Sequence, residues 1–313
     1  MSPRFVTAIV DEAGTPIQSG GDGEIAWWSL TKTAIAALAL RLAEAGRLEL
    51  DRSLPGAPYS LRHLLNHMAG LPDYGASASY QAAVAADEAP WSDEELLSRL
   101  LDGRSQPAPG RAWRTSNLGY LLARRRIEEH VGMGLGDALR THVLEPLGLS
   151  RTRMAETRAD MAGLLLAPPH PYHPGWVFHG TLIGPVGEAA LFLHRLLEPG
   201  FLSADALGEL CAAHPVDPSL AASYWHAPAY GLGLMTGRWT APPGQKFEVA
   251  GHGAGGHGSH GATFRVARAG RSATIGVYAS EGENAEGAVL RQALETLERT
   301  KGHHPLSARK AIC

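Results

Sequence analysis

The chain predicts an α/β fold joined to an all-α part: an antiparallel sheet flanked by helices, with a helical lobe inserted into it. Three observations predict it. Strand-like apolar stretches bounded by turn signals stand near both ends, a periodic helix closes the chain, and helix patterns separated by proline- and glycine-rich loops fill the middle. Sheet at both ends makes the α/β lobe discontinuous, over residues 1–58 and 230–313, around a helical lobe at 59–229.

The elements follow in order. Phe5 to Val10 and Thr15 to Ser19 bracket an Asp-Glu-Ala-Gly turn and read as a hairpin, with Pro16 marking the second strand as an edge. A helix starts at or near Ser29, because Ile35, Leu38, Ala39, Leu42 and Ala45 recur at helical spacing and Gly46 supplies a stop. Asp93-Glu94-Glu95 opens a short helix with the acidic residues its N-terminal dipole favours. Further helices run from about Asn117 to His130 and from Gly187 to Leu197, whereas the proline-rich stretch from Pro168 to Gly175 reads as a loop near a pocket mouth. Ala262 to Ala267 and Ala273 to Tyr278 bracket Arg268-Ala269-Gly270-Arg271 as a second hairpin. The closing helix spans about Ala285 to Arg299, with Ala288, Leu290, Ala293, Leu294 and Leu297 apolar.

Composition narrows the function classes. A chain of 313 residues, 44% hydrophobic, can bury a sizeable core. A net charge of −3, with twenty-four arginines spread along the chain, argues against a nucleic-acid partner. No eighteen-residue apolar span argues for a membrane. Met1 to Val10 has no signal-peptide character, and Cys211 and Cys313 make no disulfide framework, so reduced thiols and a cytoplasmic location are expected.

The chemistry centres on Ser29-Leu30-Thr31-Lys32, which sets a hydroxyl and an amine on one helix face. A hydroxyl becomes a good nucleophile when a neighbour takes its proton, and a desolvated amine can hold that proton near neutral pH. Nineteen serines and four lysines give roughly a quarter of such a match by chance, and the spacing recurs at Ser307-Ala308-Arg309-Lys310, in a tail without apolar periodicity. Taken alone, Ser29 reads first as a helix cap.

With the other blocks the chain resembles the serine β-lactamase and penicillin-binding-protein superfamily, in its class C β-lactamase and esterase branch. Ser29 to Lys32 is followed in order by Ser60-Leu61-Arg62-His63-Leu64-Leu65-Asn66-His67-Met68-Ala69-Gly70-Leu71-Pro72-Asp73-Tyr74, by Pro109 to Tyr120, by Tyr230-Gly231-Leu232-Gly233 and by Gly251 to Gly256. The resemblance implies a β-lactamase/transpeptidase-like fold, no cofactor, a small-molecule substrate, and acyl transfer through Ser29 with Lys32 as base. It implies further that Asn117 and His252 orient the substrate and that the backbone N–H groups of Ser29 and Gly255 form an oxyanion hole.

Two motifs depart from the family pattern. The tyrosine of its Tyr-x-Asn element is Thr115 here, whose hydroxyl cannot usefully ionise near pH 7, while Asn117 is kept. Tyr80, Tyr172 and Tyr224 are candidate replacements from loops, or Lys32 works without a phenol. The family's Lys/His-Thr/Ser-Gly strand corresponds to His252-Gly253-Ala254-Gly255, which keeps a cationic position at His252 and loses the hydroxyl. His252, His257 and His260, and His170, His173 and His179, raise zinc, but neither group has a helical His-x-x-x-His pair or adjacent cysteines, so no metal is expected. His63 and His67 read as packing residues below the site, Trp27 and Trp28 as cleft or core, and Arg124-Arg125-Arg126 as a solvated helix face.

Two functions stay open. One is a serine hydrolase forming an acyl-enzyme on an ester, an amide or a β-lactam, with esters favoured because an activated leaving group asks less of a site without the tyrosine. The other is a catalytically impaired binding or regulatory protein on the same scaffold, given Thr115, Gly253 and Ala254.

Overall fold

The computed structural model describes residues 5–101, 106–168, 170, 172–242, 244–280 and 284–299. The Ser307–Lys310 repeat and Cys313, on which the thiol expectation rests, lie outside them.

The large sheet is antiparallel and contains β1 (Phe5–Asp11), β2 (Pro16–Gln18), β6 (His214–Pro215), β7 (Trp225–Tyr230), β8 (Met235–Ala241), β9 (Gln245–Gly256), β10 (Ser259–Arg268) and β11 (Arg271–Ser280), ordered β2-β1-β11-β10-β9-β8-β7-β6. The two ends of the chain meet in it, since Phe5 to Asp11 pair with Ala279 to Ala273. Ala269 and Gly270, both at positive φ between the paired Arg268 and Arg271, make the two-residue turn that suits the twist of the β10–β11 hairpin. A small sheet, β3 (Glu24–Ala26), β5 (Leu182–Pro185) and β4 (Arg153–Met154), ties the segment before Ser29 to the middle of the chain.

The helices are α1 (Leu30–Glu44), α2 (Leu61–Leu65), α3 (Ala78–Ala85), α4 (Asp93–Leu101), α5 (Asn117–Val131), α6 (Leu135–Leu139), α7 (Arg158–Ala162), α8 (Val186–Leu197), α9 (Ala204–Cys211) and α10 (Ala285–Arg299). Helix α10 buries Val289 and Ala293 against Phe264, Ile275 and Val277 on one sheet face. Helix α8 packs with Tyr278, Ala8 and Val10 on the other, and a side chain at Gly276 would press on Val186. Helix α1 is buried without a break from Leu30 to Leu40, as a helix apolar on every side must be. Gly46, at φ +67°, ends it by donating to the Ala43 carbonyl while Arg47 donates to that of Leu42.

The structure revises two expectations. Strands β4 to β7 lie within the span expected as the helical lobe, and β6 and β7 join the large sheet ahead of the boundary at 229. Strand β7 escapes a pattern reading because Ala227 at positive φ and Pro228 break its register between His226 and Ala229. Arg124, Arg125 and Arg126 are not simply solvated: Arg124 with Asp93 and Arg125 with Glu94 link α5 to α4, while Arg124 with Glu128 and Arg126 with Glu129 pair within α5.

Candidate active site

Ser29 sits immediately before α1 with helical backbone angles, φ −68° and ψ −14°, and its side chain makes no capping bond. Its hydroxyl lies instead 2.6 Å from the Nζ of Lys32. This geometry depends on Trp28, which holds the positive φ of 43° that bends the chain into the helix. Such a conformation costs a non-glycine residue roughly 1–3 kcal/mol and persists only when the surroundings hold it. Here the Trp28 N–H donates to Thr181 Oγ1 at 3.1 Å, its indole N–H donates to Ser259 Oγ at 2.9 Å, and its ring lies where a side chain at Gly256 would be.

Lys32 is 4% exposed. Burial lowers its pKa from 10.5 to about 7, against the opposing pull of the Asp73 carboxylate. A substantial share of the amine is therefore neutral at pH 7 and able to take the serine proton. The Ser29 N–H has no partner among the described residues, so it is free to meet a developing oxyanion.

Ser29, Asn117 and Gly255 line one cavity of about 180 Å³, together with Trp28, Tyr74, Tyr80, Tyr172, Trp176 and His179. Asn117 begins α5, where Ser116 caps the helix by accepting from the Gly119 N–H. Asp73 Oδ1 fixes it twice, accepting from the backbone N–H at 3.1 Å and from the side-chain amide at 2.9 Å. Pairing of β8 with β9 stops at Gly251, leaving the end of β9 paired only with β10 on the stretch that reaches the cavity.

Three expected residues are not on the cavity wall: Lys32, which meets it only through Ser29, and Thr115 and His252. Thr115 is exposed and does not line it, because capping through Ser116 turns the preceding residue outward. His252 is 7% exposed and no cation: burial and the nearby Lys32 depress its pKa to about 3. Its Nδ1–H donates to the Gly253 carbonyl and its Nε2 accepts from the Tyr230 hydroxyl at 2.9 Å. The cationic position expected there is a neutral strut.

Of the candidate replacement tyrosines, Tyr224 is spent on Glu286, away from Ser29. Tyr80 and Tyr172 stand on the wall and share a 2.6 Å hydrogen bond. Burial pushes Tyr80 up to about 12 and Tyr172 up as well, so neither ionises near neutral pH. Trp28 belongs to the cavity wall, whereas Trp27 is core, packed against Phe192 at 5.5 Å. His63 caps α2 through Ser60, and His67 accepts the Ser116 N–H at 3.2 Å.

Sequence reasoning passed over Asp73 and, in the aromatic wall, Tyr74 and Trp176. Asp73 and Tyr74 stood inside a quoted block without a role. Trp176 stood beside the proline-rich loop, where the residue type alone was the signal.

The sequence and the fold have counterparts among known proteins. Penicillin-binding protein 4* of Bacillus subtilis (strain 168) is 36% identical over 155 residues, 46% of this chain, and the match spans about a third (33%) of that protein's length. A D-stereospecific amidohydrolase from Streptomyces sp. superposes with a TM-score of 0.73 at 23% identity, covering 92% of this chain and 93% of its own. A D-amino acid amidase from Ochrobactrum anthropi SV3, in complex with D-phenylalanine, also gives 0.73, at 20% identity over 95% of this chain and 94% of its own. The beta-lactamase family model matches residues 8–297, nearly the whole chain, and the protein belongs to this family of serine hydrolases.

Proposed function

We propose that the protein hydrolyses small esters through an acyl-enzyme on Ser29, with an aromatic or apolar acyl side chain seated against the ring-lined wall. The 2.6 Å approach of the buried Lys32 Nζ to Ser29 Oγ, with Ser29 on the wall of a half-enclosed cavity, carries the reading. Neutral Lys32 takes the hydroxyl proton as Oγ attacks the carbonyl carbon. The oxyanion meets the N–H groups of Ser29 and Gly255, and the carbon–leaving-group bond breaks as Lys32 passes its proton to the departing oxygen. Water then cleaves the acyl-enzyme. The cavity, about 180 Å³, compares with the roughly 150 Å³ that admits benzene, which supports a single ring or branched aliphatic group rather than a polymer. Esters are favoured because an alkoxide or phenolate leaves without the strong acid that an amine requires.

A second reading, amide hydrolysis, draws support from solved structures of similar fold, among them a D-amino acid amidase in complex with D-phenylalanine. Intact mass after incubation with a fluorophosphonate, followed by p-nitrophenyl phenylacetate against phenylalanine amide, separates these. A Ser29 adduct and faster release from the ester are expected. Faster release from the amide would overturn the ester preference. A folded protein that takes up neither fluorophosphonate nor a fluorescent penicillin would instead be a binding protein on this scaffold.

A further inference from the structure

Beside the end of β9 lies a second cavity, of about 370 Å³, whose wall includes Tyr224, Gly253, Gly255, His260 and Glu286. Gly255 lines this cavity and the Ser29 cavity alike, so the two meet at the residue whose N–H is assigned to the oxyanion. Among the described residues Glu286 is the one carboxylate on its wall, and no lysine or arginine lines it. Glu286 Oε2 is held in place, accepting the Tyr224 hydroxyl at 2.7 Å and the Trp225 indole N–H at 3.0 Å. Its Oε1 has no hydrogen-bond partner among the described residues, and it is not sealed off from solvent. The start of a helix favours a carboxylate, and Oε2 ties α10 to the segment around β7, but neither accounts for Oε1. That oxygen stands over Gly253, where a Cβ would come within 2.8 Å of it. The glycine found where the family pattern has a hydroxyl residue thus leaves the carboxylate uncovered. On its other side the half-buried Glu286 borders a narrower pocket of about 140 Å³ that includes Trp225 and Met235, so its charge is screened less than that of an exposed residue.

We propose that this second cavity receives the alcohol portion of the ester and that Glu286 selects alcohols carrying an ammonium group. This rests on the acyl-enzyme proposed for Ser29 and names the other half of its substrate. With the acyl ring against the wall of the Ser29 cavity and the carbonyl oxygen at the Ser29 and Gly255 N–H groups, the alcohol leads past Gly255 into the neighbouring space. An ammonium there meets the uncovered Oε1, through Coulomb attraction and, where it bears an N–H, a charge-assisted hydrogen bond. A neutral alcohol in the same place strips water from Oε1 and gives it no partner. As Oγ bonds to the acyl carbon, the ester C–O bond breaks, and the alcohol leaves with the proton that Lys32 took from Ser29, its ammonium unchanged.

The experiment compares phenylacetylcholine with its neutral isostere, 3,3-dimethylbutyl phenylacetate, by release of phenylacetate at about pH 8, above the range in which imidazoles are ordinarily charged. The two esters form the same acyl-enzyme, so they differ only in the alcohol. The quantity read is the ratio of their kcat/KM values in wild type and in Glu286→Gln, which keeps an acceptor for Tyr224 and Trp225 but loses the charge. Taking the ratio in both proteins cancels the intrinsic difference between the esters. It is expected to fall about tenfold in Glu286→Gln, an effect of the size of one partly screened charge pair. An unchanged ratio overturns the proposal. If the variant does not fold or does not turn over, the wild-type ratio decides alone. It should fall several-fold between about 0.02 M and about 0.5 M salt, and a ratio flat in salt overturns the proposal. A wild-type chain that takes up no fluorophosphonate on Ser29 overturns the acyl-enzyme reading itself, an outcome distinct from turnover of both esters at a ratio indifferent to Glu286.

Discussion

Two serines stand at the starts of two helices beside the same cavity, and they do opposite things. Ser116, before α5, has extended angles, φ −149° and ψ 106°; its hydroxyl accepts the Gly119 N–H and donates to the Pro72 carbonyl at 2.8 Å. Ser29, before α1, already has helical angles, so its hydroxyl cannot fold back on the helix and reaches Lys32 instead. A serine at a helix start is a cap when its backbone is extended and a free hydroxyl when it is not. The difference is imposed one residue upstream, by Trp28 at positive φ.

The comparison can be pressed by substitution. Ser29→Ala should abolish the covalent adduct and lower turnover by about 10⁴-fold or more, while the melting temperature stays close to wild type because no cap is lost. A turnover that survived this change would place the nucleophile elsewhere. Lys32→Met should slow acylation by about 10²–10⁴-fold and remove its dependence on pH near 7.

The same variant should be more stable than wild type, and the sign follows from the lowered pKa. Below about pH 7 the folded chain carries a buried ammonium and bears the whole penalty. Between about 7 and 10.5 the unfolded chain binds the extra proton, so wild-type stability climbs with pH across that window. Urea unfolding should accordingly show a larger gain for Lys32→Met at pH 6 than at pH 9. A gain that grew with pH would contradict the burial of the amine.

Ser116→Ala should cost about 1 kcal/mol of stability, measured by urea unfolding, and leave acylation by the fluorophosphonate intact apart from any shift of Asn117. Smallest of all, Thr115→Ala should change both stability and acylation by less than about twofold, as an exposed substitution does. A large loss there would mean that the threonine serves the chemistry after all.

Much of this architecture was legible in the sequence because it is written locally. Helix α10 has the span its apolar period implies, and the turn between β10 and β11 falls on the Ala-Gly pair between two alternating runs. Ser29 with Lys32 was legible for the same reason, since three residues on a helix fix their separation. What escaped depends on partners far along the chain. The strain at Trp28 is held by Thr181 and Ser259, more than 150 residues away, and spacing carries no trace of it. His252 matched a cationic position by motif, but its neutrality comes from burial and a nearby amine. His179 drew notice only as one of three histidines, and its place on the cavity wall follows the turn at Gly180.

The tryptophan ring that rests on Gly256 makes positions 28 and 256 a coupled pair. A methyl group at 256 would stand 2.4 Å from the indole, so the ring would have to yield. The nucleophile loop and the tip of β9 therefore cannot vary independently. A library aimed at reshaping this pocket through β9 will recover active members chiefly where residue 28 has shrunk in step, and single changes at 256 will register at the serine although they never touch it.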